Sequence, residues 1–137
     1  MSKSLYFILI LLGFLTACSS NKNEQLASEM FAAFNRHDWS AMASYYSDRA
    51  EFLDPSFGLD YVTRSREETA TKYSKMAETF PDISDSIKSI YSTGDNVIIE
   101  FVSSGSSGDS IKFKLPICSI LTFKDKKIIR DATYYDQ

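Results

Sequence analysis

The sequence predicts an α+β fold in which three N-terminal helices pack on one face of a curved, mostly antiparallel sheet. Two patterns and their order carry that reading. Apolar residues recur at helical spacing in three stretches that end at Pro81, and a period of two governs the chain from Ile87 onward. A short extended segment, Glu51 to Asp54, separates the second helical stretch from the third. Aromatic residues make up 14% and hydrophobic residues 44% of the chain, which excludes a disordered polymer and suits a single domain.

The first seventeen residues stand apart from that domain. Lys3 gives a positive start, and the apolar run from Leu5 to Leu15 is too short to span a bilayer comfortably. Leu15-Thr16-Ala17-Cys18 resembles the lipobox cut before cysteine by lipoprotein signal peptidase. The resemblance implies a signal peptide at residues 1–17 and a lipidated Cys18. Residues 18–23 would form a short polar tether and residues 24–137 the domain. It also implies export and anchoring of the chain in a bacterial cell envelope. Ser19 follows the cysteine where an aspartate retains some lipoproteins in the inner membrane, so the outer membrane is expected in a host that has one. The other reading of the same run is an uncleaved signal anchor.

Within the domain, Leu26, Met30, Phe31 and Phe34 form one stripe of a helix from Glu24 to Arg36. Asp38 is placed to cap a second helix through Tyr46, with Trp39, Met42 and Tyr46 on one face. Pro55 forces Asp54 out of the helical region, so Asp54 is expected at the end of a strand. Ser65-Arg66-Glu67-Glu68 has the form of a capping box, and Tyr73, Met76 and Phe80 continue a third helix up to Pro81.

The strands follow. Ile87 to Tyr91 and Val97 to Val102 flank a turn at Thr93-Gly94-Asp95-Asn96. Ser103 to Ser110, rich in serine and glycine, reads as a connection to a long strand from Ile111 to Phe123. In that strand Ile111, Phe113, Leu115 and Ile117 alternate with outward Lys112 and Lys114, and Pro116 marks a bulge or an unpaired edge position. Lys124 to Lys127 turns the chain into a last strand, Ile128 to Tyr135.

Several chemistries are excluded by residue type. The 18 acidic side chains outnumber the 15 basic ones, and loss of residues 1–17 would remove a further lysine, so no nucleic-acid surface is indicated. His37 is the single histidine and Cys118 the single cysteine left once Cys18 is lipidated. Neither a Ser/His/Asp or Cys/His nucleophile system nor a zinc site is therefore expected, and no disulfide. Cys118, in an apolar strand, reads as a packing residue.

Asn35-Arg36-His37-Asp38-Trp39, the run Tyr46 to Pro55, Phe80-Pro81-Asp82, Gly94-Asp95-Asn96-Val97, and Lys127 to Arg130 with Tyr134-Tyr135-Asp136 together resemble the SnoaL-like branch of the nuclear transport factor 2-like superfamily, over residues 24–137. The resemblance implies a cone-shaped fold with an apolar interior. Asp54-Pro55 matches the position that carries the general base in the superfamily's steroid isomerases, and a carboxylate at the mouth of an apolar cone would have its pKa raised by desolvation. The isomerase tyrosine that donates to the oxyanion falls on Met30, and the protonated aspartic acid beside it falls on Ser119. The cyclase branch places an acid/base aspartate at the position of Thr133, two residues beyond Asp131 on the same face of the last strand.

Asp54 and Asp131 are thus the candidate catalytic residues, and Met30, Phe34, Tyr46, Phe101, Ser119, Thr133 and Tyr135 the candidate cavity lining, with no metal and no cofactor. Each has a plain structural alternative: Asp54 as a turn residue, Asp131 paired with neighbouring Arg130, Lys126 and Lys127, the aromatics as core. The expected function is that of a membrane-anchored lipoprotein whose domain binds a small apolar ligand or a partner without catalysis. The alternative is an acid/base enzyme of isomerase, polyketide cyclase or dehydratase type with Asp54 as base. Ile98, Val102 and Ile120, on the opposite sheet face, offer a surface for a homodimer.

Overall fold

A computed structural model describes residues 22–136; Cys18, the lipobox and the first tether residues lie outside the described residues. Ten elements follow one another, beginning with helix α1 (Lys22–Asn35), helix α2 (Trp39–Ser44), strand β1 (Tyr46–Leu53), a 3-10 turn (Pro55–Phe57), strand β2 (Val62–Ser65) and helix α3 (Arg66–Thr79). Strands β3 (Ser84–Thr93), β4 (Asn96–Ser107), β5 (Ile111–Lys124) and β6 (Lys127–Tyr134) complete the chain. All six strands join one sheet in the order β2-β1-β6-β5-β4-β3. Every neighbouring pair is antiparallel except β1 and β6, the first and last long strands, which run parallel.

The helices lie against the inner face of that sheet. Ala27, Met30, Phe31, Ala33 and Phe34 of α1 are buried, and Phe31 meets Phe101 of β4 edge to face with 4.9 Å between ring centres. Phe34 bridges to Trp39 and to Tyr73 of α3 in two more edge-on contacts, so the three helices share one aromatic seam. Caps start the shorter elements as their sequences dictate. Asp38 accepts from the Ala41 N–H, and Ser65 and Glu68 exchange the two hydrogen bonds of a capping box.

The differences from the sequence reading all trace to partners distant in the chain. Helix α2 stops at Ser44, and Tyr46 opens β1 five residues earlier than the extended segment expected at Glu51. The Tyr45 carbonyl accepts the Ile128 N–H, and Lys127 Nζ donates to the Ser44 carbonyl, so the last strand draws these residues out of the helix. Strand β2 is absent from the sequence reading; it exists because Arg49 to Phe52 offer it an edge. Strand β3 begins at Ser84, and β4 runs to Ser107 through half of the stretch read as a connection, because Ser84 to Ser86 pair with Val102 to Ser104, and β5 pairs with the rest. Helix α1 starts at Lys22, inside the expected tether.

Pro116 pairs with Val102 on one side and lies beyond Cys118, where the pairing of β5 with β6 ends, so its missing N–H faces an open edge. Ile98, Val102 and Ile120 stand half-buried on the outer face, with Tyr91 and Tyr134 exposed near them.

One glycine of the serine-rich stretch has a packing reason. A Cβ at Gly105 would lie 2.8 Å from Cε1 of Phe113 and 3.2 Å from Cβ of Phe80, the two rings that close one end of the cone edge to face. Gly105→Val is expected to destabilise the fold by about 1–3 kcal/mol through this crowding. Urea denaturation checks it; an unchanged midpoint would show that the rings move aside freely.

Candidate functional site

The helices do not fill the cone. A cavity of about 240 Å³ remains between them and the sheet, walled mainly by apolar and aromatic side chains. Met30 and Phe34 of α1, Tyr46 of β1, Phe101 of β4, Ser119 of β5, and Thr133 and Tyr135 at the end of the chain all reach it, as do Asp54 and Asp131. Both carboxylates therefore face one interior space.

Asp131 is the more deeply set. Alternation along β6 turns it inward, away from Arg130, which pairs instead with Glu51 across the outer face. The Tyr46 hydroxyl donates to its Oδ2 at 2.7 Å and the Thr133 hydroxyl to its Oδ1 at 3.0 Å, while Ser119 and Thr133 share a further bond at 2.7 Å. Burial raises the Asp131 pKa in spite of the two donors. Burial, with the Asp131 charge behind it, also pushes the Tyr46 phenol well above its ordinary value. The pair is thus a hydrogen-bonded acid and phenol in a buried wall.

Asp54 is held in the opposite state. It follows β1 directly, caps the 3-10 turn, and its Oδ1 accepts from Ser56 N–H, the Ser56 hydroxyl and the Tyr135 hydroxyl at 2.7 to 2.9 Å. Its Oδ2 takes the Lys72 ammonium at 2.7 Å. Burial would raise its pKa, but Lys72 and Ser56 together outweigh burial and hold the carboxyl below the usual range. The sequence reading expected desolvation to raise the Asp54 pKa, which would suit it to the role of base in the enzyme alternative. The direction at Asp54 is the opposite, with Lys72 as its ion-pair partner, and Asp131 is the carboxyl whose proton affinity burial raises.

Three titratable residues of the wall escape the sequence reading. Lys72 projects from α3 one residue before Tyr73, its ammonium 4.3 Å above the Phe57 ring and 5.1 Å from that of Tyr73. Thr69, Lys72, Tyr73 and Met76 share one helix face, and a lysine in such a stripe is the signal that could have found it. Tyr73 stands among Asp131, Asp54 and Asp85, and burial raises its pKa well above the ordinary value. Asp85, on β3, escapes because the apolar alternation starts that strand only at Ile87; Ile83, Asp85 and Ile87 share its inward parity.

Residues 27–131 match the SnoaL-like domain family. The chain belongs to that family. Solved structures agree on the fold. A protein of ketosteroid isomerase-like fold from Catenulispora acidiphila, crystallised with trimethylamine, superposes with a TM-score of 0.72 at 20% identity, covering 82% of this chain and 85% of its own. IdmH, a polyketide cyclase candidate from Streptomyces antibioticus, gives 0.73 at 20% identity over 83% and 91%. An epoxide hydrolase of M. tuberculosis gives 0.71 at 17% identity over 84% and 83%. No curated protein matches the sequence. At these identities the neighbours establish this SnoaL-like domain's cone and nothing about its chemistry.

Because folding raises the Asp131 pKa, the folded SnoaL-like domain keeps a proton that the unfolded chain releases. Stability therefore falls as pH rises from the ordinary carboxylate value through the folded one. Asp131→Asn is expected to remove this loss, melting above the parent chain at pH 7 with an advantage that shrinks toward pH 4. Thermal denaturation across that range checks it; a variant equally impaired at both ends would make Asp131 a structural anchor.

Proposed function

We propose that this SnoaL-like domain takes a small, largely apolar molecule into its cone and exchanges a proton with it through Asp131. The observation that supports this reading is a buried carboxyl on a cavity wall, raised in pKa and oriented by Tyr46 and Thr133. Its reaction class is that of the cofactor-independent isomerases, polyketide cyclases and dehydratases. A steroid isomerase mechanism fits poorly. The thioether of Met30 occupies the wall where a phenol would donate to an enolate, and the Ser119 hydroxyl is engaged with Thr133.

Asp54 serves this chemistry as a fixed charge paired with Lys72, while burial is the main influence on the titration of Asp131. A second reading, a non-catalytic binding module, draws support from that same pairing. The aspartate of the family motif has three donors on Oδ1 and the Lys72 ammonium on Oδ2, which leaves it a poor proton acceptor for a ligand.

Exchange of solvent deuterium into carbon acids separates the two. Incubated in D2O with a panel of small cyclic ketones and aromatic polyketide fragments, the parent chain is expected to label a C–H next to a carbonyl in at least one of them. Asp131→Asn should slow that labelling by about 10² to 10⁴. Ligands that bind the parent and Asp131→Asn equally, with no labelling by either, would establish the binding module.

The cell-envelope location belongs to the same proposal and rests on the lipobox-like Leu15-Thr16-Ala17-Cys18. Metabolic labelling with a radioactive fatty acid is expected to mark the mature chain, and Cys18→Ser to abolish the label and release the protein from the membrane fraction. A chain that stays membrane-bound and unlabelled would instead carry an uncleaved anchor.

A further inference from the structure

The cavity holds a third carboxyl that the proton-transfer reading does not use. Asp85 sits on β3 with β4 and β5 between it and Asp131 on β6, so the two acids occupy opposite walls. Its backbone is clamped: the Asp85 N–H donates to Asn35 Oδ1 and the Asn35 amide donates back to the Asp85 carbonyl, both at 2.8 Å. That clamp, from the last residue of α1, fixes where the side chain points. Its Oδ1 is shut off from solvent and has no hydrogen-bond partner, alone in this among the buried side-chain polar atoms of the described residues.

A buried acceptor left open is costly, and a charged one more so. None of the ion pairs among the described residues reaches Asp85: Arg66 meets Asp48, Lys72 meets Asp54 and Arg130 meets Glu51. The groups that face it are Ser103 of β4, whose hydrogen bond to the carboxyl favours its charged form, and the phenols of Tyr46 on β1 and Tyr73 on α3, which its charge makes harder to ionise. His37, in the connection after α1, donates from Nε2 to the Ile83 carbonyl two residues away and does not line the cavity. Burial raises the Asp85 pKa to about 6, so at neutral pH the carboxylate is charged and uncompensated.

We propose that Asp85 is the counter-ion for the ligand of this cavity, a small protonated amine that pairs with its carboxylate while its apolar or aromatic body extends toward Asp131. A neutral alcohol or a water could supply the hydrogen bond but would leave the charge unbalanced. An ammonium does both, and the aromatic wall, with Phe31, Phe101 and Tyr73 among its rings, suits a cation as well as an apolar body. The inference rests on the cavity being a small-molecule site and narrows its ligand class to amines. It makes binding depend on pH, since protonation of Asp85 removes the charge that the ammonium balances.

Calorimetric titration of the full chain in non-ionic detergent tests this with 2-phenylethylammonium and its neutral analogue 2-phenylethanol, against a detergent blank. The ammonium is expected to bind at least tenfold tighter than the alcohol at pH 7.5, and the preference to fade by pH 5. Asp85→Asn should abolish the preference and its pH dependence while keeping affinity for the alcohol; a contribution from His37 would persist in that variant. Equal affinities, or a preference that survives Asp85→Asn, overturn the amine assignment and leave the cavity reading standing. Failure of both compounds to bind overturns the two together. If Asp85→Asn fails to fold, Asp131→Asn decides: the amine preference and its pH dependence persist there if Asp85 is the counter-ion, and their loss overturns the assignment.

Discussion

The hydrogen bond from Tyr46 to Asp131 is the interaction around which the interior is organised. It joins the first residue of β1 to the middle of β6, 85 positions apart in the chain, and it lies inside the wall rather than on the surface. A carboxyl in such a place needs donors, and Tyr46 and Thr133 supply them. Among the described residues no lysine or arginine forms an ion pair with it, and Lys72, which lines the same cavity, is bound to Asp54. The result is an interior in which one acid is kept ionised and another is kept proton-hungry.

That separation is a division of labour imposed by geometry. Asp54 sits where the chain leaves a strand for a tight turn, so backbone and hydroxyl donors reach it at once and Lys72 arrives from α3. Asp131 sits mid-strand, where backbone donors are committed to the sheet and only side chains can come to it. Identical carboxyls thus acquire different proton affinities from the kind of element that presents them. Asp85 is a third case, at the start of the sheet's edge strand, with a serine facing it and no ion pair among the described residues.

Much of this fold could be read from the sequence because its local signals agree with one another. The capping box at Ser65, the cap at Asp38, the stripe of α1 and the alternation of β5 each survive in the structure within a residue or two. What could not be read depends on chain-distant pairing. Tyr46 carries a helical spacing with Trp39 and Met42, and only the carbonyl bond from Tyr45 to Ile128 makes it a strand residue. The candidate wall residues reach one cavity because strand parity is a local property. The electrostatic roles were not legible. The Asp54 motif is visible in the sequence, but the lysine that neutralises it lies 18 positions away on a helix, and Asp85 reaches the cavity only because β3 begins earlier than its apolar residues suggest.

The parallel pairing of β1 with β6 also sets the order of events in the life of the chain. Antiparallel neighbours can form as soon as each hairpin is made, but β1 finds its central partner only when the last strand exists. Until then Phe52 lacks the neighbour in register with it, Asp131, and Tyr46 lacks its acceptor. No amino-terminal fragment can therefore possess the cavity. A chain emerging from a ribosome or a translocation pore would stay open until β6 was released, and a nonsense mutation just before β6 would erase the site while sparing all three helices.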